Sequence, residues 1–186
     1  MTTAPIPVTG AWRPGDPPGR RQFATLFDAR PHVVETGARL EHVTIAYETW
    51  GTLNADRSNA LLVLHALTGD SHAAGPAGPG HPAEGWWEGL VGAGCAIDTD
   101  RFFVVCPNVL GGCQGTTGPA SDDPATGAPY GSRFPTVTIR DQVVVEAALA
   151  TRLGIRRWAS VVGGSMGGQR ALSGRSPSPS ACPTRW

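Results

Sequence analysis

An α/β fold built on a mostly parallel sheet is what this 186-residue sequence predicts, and three observations predict it. Ala60 to Leu64 is continuously apolar, the character of a strand covered on both faces. "RFFVVCPN" from Arg101 and "WASVVGG" from Trp158 repeat that character. A helical pattern separates the last two, and buried strands alternating with helices or loops argue for a parallel sheet.

The elements follow in order. From Met1 to Gln22 the chain is rich in Pro, Gly and Arg and reads as an irregular arm. In "HVTIAYETWG" the residues Val43, Ile45 and Tyr47 alternate, which predicts a strand with one buried face. The apolar strand from Ala60 ends in "LHALTGDSH" and gives way to "GPAGPGHPAEGWWEGL", a loop carrying Trp86 and Trp87. The strand from Arg101 stops at Pro107, and a second long loop runs from Asn108 to Pro135. Loops of this length in a compact domain are functional or disordered; the paired tryptophans and Gly-rich turns favour a role in lining a site. Thr138 and Asp141 form a capping-box pattern, Val143, Ala147 and Ala150 can share a helical face, and Gly154 offers a C-terminal stop. The strand from Trp158 then enters "VVGGSMGGQRAL", which starts a further helix. We divide the chain into an arm (1–22), an α/β core (23–172) and a Ser/Pro-rich tail (173–186).

Composition excludes several function classes. Fifteen basic residues, all arginine, balance fifteen acidic ones with no long run of either sign, so nothing marks a nucleic-acid or anionic-membrane partner. No stretch reaches the roughly 20 apolar residues of a membrane span, and the first residues lack a signal-peptide pattern. A cytoplasmic protein with small-molecule or protein partners is expected. Cys95, Cys106, Cys113 and Cys182 show no metal-binding or paired spacing and are read as reduced thiols.

The chemistry is carried by Gly163 to Gly167, GGSMG, a match to GxSxG with a strand before it and a helix after it. Such a turn is tight enough to strain the central residue, and small neighbours relieve the crowding. Ser165 becomes the candidate nucleophile, and the N–H of Met166 a candidate oxyanion donor. The second donor of this arrangement comes from the loop after an earlier central strand; the Leu67 N–H in "LHALTGDSH" is the candidate. A Gly-rich turn that cradles phosphate at a helix N-terminus is the alternative for the serine motif. His65, His72 and His81, spaced by seven and nine residues among Gly and Pro, suggest mobile loop rather than a metal site. Nor are they expected as the base of a triad, whose acid and histidine follow the serine in this fold's chain order.

"LHALTGDSHAAGPAGPGHP", "GWWEGLVGAG", "NVLGGCQGTTGP", "GSRFPTVTIRDQV" and "VVGGSMGGQRAL", in this order, together resemble the homoserine O-acetyltransferase family of α/β-hydrolase-fold acyltransferases. The resemblance spans about Phe23 to Leu172. It implies acetyl transfer from acetyl-CoA to the hydroxyl of L-homoserine through an acetyl-Ser165 intermediate, with no permanently bound cofactor and no metal, in methionine biosynthesis. It also implies a homodimer. A homoserine O-succinyltransferase, and an esterase or thioesterase of the same fold, remain open, as does a non-enzymatic remnant that binds CoA or a protein partner.

The tail departs from that family. "SGRSPSPSACPTRW" cannot continue a helix, because proline removes a backbone donor and clashes with the preceding turn. Restoring one base near the Leu172 codon in a G/C-leaning back-translation turns this tail into a sensible helical sequence. A frameshift is therefore expected, leaving the chain as written without the triad Asp and His and without acetyl transfer.

Overall fold

The computed structural model describes residues 10–174. In chain order it contains β1 (Gln22–Leu26), β2 (His32–Val33), β3 (Arg39–Leu40), β4 (Val43–Trp50), β5 (Ala60–Leu64), β6 (Val91–Gly92), β7 (Ile97–Asp98), β8 (Phe103–Pro107), β9 (Asp122–Asp123), β10 (Ala128–Pro129), a 3₁₀ turn at Gly131–Arg133, α1 (Ile139–Arg152), β11 (Ser160–Gly163) and α2 (Met166–Gly174). Cys182 and most of the proposed frameshifted tail lie outside the described residues. The helix α2 itself runs through Ser173 and Gly174, two residues past the expected break at Leu172.

Five strands form the main sheet in the order β1-β4-β8-β5-β11. β8, β5 and β11 are parallel neighbours, whereas β4 pairs antiparallel with both β1 and β8. The sheet is thus mixed, with the parallel strands on the side that carries the serine motif. β5 is buried along its whole length because successive side chains enter different cores. Leu62 and Leu64 join the cluster with Val145, Leu149 and Trp158; Leu61 and Val63 join Val104, Cys106, Val91 and Ile97 on the other face.

The strand from Val43 behaves differently from its sequence pattern. Val43, Ile45 and Tyr47 are buried as expected, but Ala46 and Glu48 on the opposite face are buried as well. The loops after β5 and β8 fold over that face, so alternation alone understates its burial. α1 carries the expected cap: the Thr138 side chain accepts from the Asp141 N–H, and the Asp141 carboxylate accepts from the Thr138 N–H. Gly154 follows the helix at φ +74°, a conformation that glycine adopts without steric cost. The buried stripe is Asp141, Gln142, Val145, Glu146, Ala147, Leu149 and Ala150, so Val143 lies at its margin rather than on it. No helix among the described residues is long and apolar enough to cross a membrane.

Candidate active site

Ser165 sits between the end of β11 and the first residue of α2, at φ +54°. A left-handed conformation is costly for a residue with a Cβ, and the surroundings enforce it. A Cβ at Gly167 would run into the carbonyl oxygen of Leu64, and one at Gly163 would run into the Gly167 backbone. Only glycine at both positions lets α2 start this close to β5. Gly164 is different: a Cβ there meets open space, so the expectation that every small neighbour relieves crowding applies to two glycines and not the third. The turn leaves Ser165 exposed.

The two expected amide donors flank one cavity of about 520 Å³, which both Leu67 and Met166 line. Met166 opens α2, where helix geometry leaves the first N–H groups without intrahelical acceptors. The Leu67 N–H donates to no group among the described residues, and its side chain is 74% exposed. Both long loops contribute walls: His81, Pro82 and Trp86 from one, Asn108 to Gln114 from the other. Trp87 does not line the cavity; it packs against the core beneath β5 and β8.

The loop that carries Leu67 is held from below. His65, 1% exposed, accepts at Nε2 from the Val109 N–H (3.1 Å) and approaches Ala66 O through Nδ1 (2.7 Å). These partners define an imidazole protonated at Nδ1. Burial first, and the Arg170 guanidinium second, hold its pKa down to about 4, so the ring is neutral near pH 7. Arg170, on α2, is completely buried; its Nη2 donates to His65 O (2.6 Å) and its Nη1 to the Glu146 carboxylate of α1. Sequence patterns missed this pair, since nothing local distinguishes Arg170 or Glu146 from surface helix residues.

His72 and His81 correct the expectation of mobile loop, because both are buried. Their rings stack at 3.7 Å with planes 10° apart, and both face Glu48, which sequence reading did not single out. His72 Nδ1 lies 3.0 Å from Glu48 Oε2 and His81 Nε2 lies 3.4 Å from Oε1. The Ser71 hydroxyl donates to Glu48 Oε1 at 3.0 Å, and the Arg20 N–H donates to His81 Nε2 at 3.1 Å. Donor atoms of Glu48, His72 and His81 come within 4.8 Å of one another. Nearly parallel rings, however, cannot both aim in-plane lone pairs at one ion, and the Arg20 N–H already occupies one nitrogen. The cluster is a hydrogen-bonded carboxylate and imidazole network whose two imidazoles line the cavity; His65 stands apart from it. Among the cysteines, Cys95, Cys106 and Cys113 are thiols, and burial raises the Cys106 pKa well above its ordinary value.

The chain is 65% identical over 171 residues to homoserine O-acetyltransferase from Thermobifida fusca (strain YX), a match covering 92% of the chain and 44% of that protein. Among solved structures, an esterase superposes with a TM-score of 0.73 at 40% identity. A homoserine O-acetyltransferase from Bacillus anthracis superposes with the same TM-score at 36% identity. Each covers 82% of this chain and 42% of the solved one, so the chain spans less than half the length of these relatives. Residues 59–173, which include the Leu67 loop, both helices and the serine turn, match the model of the alpha/beta hydrolase fold, and the chain belongs to that family.

Proposed function

We propose that Ser165 is the nucleophile of an acyl transfer from acetyl-CoA to the hydroxyl of L-homoserine. The observation that carries this reading is the left-handed serine at the junction of β11 and α2, beside a loop whose Leu67 N–H has no acceptor among the described residues. The serine oxygen attacks the thioester carbonyl, and the N–H groups of Leu67 and Met166 stabilise the oxyanion. The thioester C–S bond breaks, and CoA leaves as the thiol after taking up a proton. The homoserine hydroxyl then attacks the acetyl ester of Ser165, its proton returns to the serine oxygen, and O-acetylhomoserine leaves. In a well-studied hydrolase one oxyanion donor lowers the barrier by roughly 2.7 to 4 kcal/mol.

The reading assigns the base to none of the described histidines of the cavity. Both nitrogens of His65 are engaged, and His72 and His81 face Glu48. The resemblance to homoserine O-acetyltransferases supports a base from outside the described residues, and without it turnover falls by about 10⁶. The reading includes acetyl-CoA and L-homoserine as partners, no bound cofactor or metal, a cytoplasmic location and a homodimer; the resemblance to homoserine O-acetyltransferases supports these. The test joins residues 1–172 to the part of the Thermobifida fusca relative outside the matched stretch. CoA release that requires homoserine, and that Ser165→Ala abolishes, is expected. Release at the same rate without homoserine favours the second reading, an esterase or thioesterase, to which the similar esterase structure points.

A further inference from the structure

Leu67 is exposed, yet both carbonyls that precede its N–H are tied down. The Ala66 carbonyl accepts from the Gly69 N–H at 3.0 Å and from His65 Nδ1–H at 2.7 Å. The Ala66–Leu67 peptide bond is trans, so its carbonyl and its N–H point in opposite directions within one rigid plane. Anchoring Ala66 O therefore aims the Leu67 N–H. One peptide earlier, the His65 carbonyl accepts from Arg170 Nη2 at 2.6 Å, and His65 Nε2 accepts from the Val109 N–H. The guanidinium thus fixes the first peptide plane and the imidazole the second.

Stability alone does not account for Arg170. Its guanidinium and the Glu146 carboxylate are buried, and Arg170 Nε and Glu146 Oε2 have no hydrogen-bond partner among the described residues. A buried ion pair with unmet polar atoms is often no more stabilising than apolar side chains of similar volume. Two apolar side chains, however, would offer no donor to the His65 carbonyl.

We infer that Arg170 is a positioning residue for oxyanion stabilisation, holding the Leu67 N–H in one direction through His65 before substrate arrives. Glu146 holds the guanidinium in turn, so α1 acts on the site without touching it. Donors fixed in advance stabilise a developing oxyanion without reorganising during the reaction. The inference rests on the acyl-transfer reading for the use made of that N–H, whereas the fixed loop is a property of this chain by itself.

Amide ¹⁵N relaxation of the 186-residue chain tests the inference without turnover. The Ala66 and Leu67 amides should be as ordered as those of β5, with order parameters of about 0.85. The double variant Arg170→Met with Glu146→Leu removes the donor to His65 O without stranding a buried carboxylate. In it the Leu67 order parameter should fall below about 0.6 while β5 stays rigid. His65→Leu cuts the same chain of contacts one step nearer Leu67, should loosen it equally, and carries the comparison if the double variant fails to fold. In the joined protein of the functional test, the double variant should lower kcat about 10²-fold. KM should not change, the mark of a contact made only in the transition state. A Leu67 amide already mobile in the unaltered chain, or still rigid in either folded variant, overturns the positioning role. So does a rise in KM at unchanged kcat. A Leu67 amide that is rigid and loosened by the variants, in a joined protein that releases no CoA, keeps the positioning and overturns the acyl-transfer reading.

Discussion

Gly167 shows how one missing methyl group sets the site. Its α-carbon lies against the Leu64 carbonyl, so the first turn of α2 reaches the end of β5 and brings Met166 to the cavity that Leu67 also lines. Gly167→Ala should cost about 1–3 kcal/mol, the usual range for overpacking, read as a lowered urea midpoint. At this scale the sequence was legible where chemistry requires a local pattern. Gly163, Ser165 and Gly167 could be identified because a tight strand-to-helix turn demands small residues at fixed spacing. Glu48 could not: its partners, Ser71, His72 and His81, lie more than twenty residues away, and no local periodicity announces a buried carboxylate.

The helices are joined by charge as well as by apolar contact. Arg170 of α2 links Glu146 of α1 to the His65 carbonyl, so two elements and the Leu67 loop share one guanidinium. Arg170→Met keeps much of the volume and strands Glu146, with an expected loss of about 3–5 kcal/mol, as when one partner of a buried pair is removed. Adding Glu146→Leu should recover most of it, and denaturation of the single and double variants measures both. Element types were readable in advance: the cap at Thr138, the stop at Gly154 and the apolar strands all rest on local sequence. The direction of β4 was not. Its antiparallel pairing with β8 depends on how the chain returns across the sheet, which periodicity does not encode.

Across the whole molecule, stability should depend on pH through its buried imidazoles. Burial lowers the pKa of His32, and holds His65 and His81 to about 4. In each case the unfolded chain binds the proton more readily, so stability is complete above about pH 6.5 and is lost as pH falls through about 4. Glu146 acts in the opposite sense, because burial raises its pKa, but it is one group against three. Denaturation midpoints should therefore drop between pH 7 and pH 4, and a flat profile would contradict these assignments. The N-terminal arm gives a practical consequence of another kind. Arg21, almost fully buried, reaches Asp70, the Gly80 carbonyl and Gln114, while the Trp12 N–H donates to Cys113 O. A shortened version begun at Phe23, trimmed for crystallisation because residues 1–22 are rich in Pro, Gly and Arg, would unfasten both cavity-lining loops together.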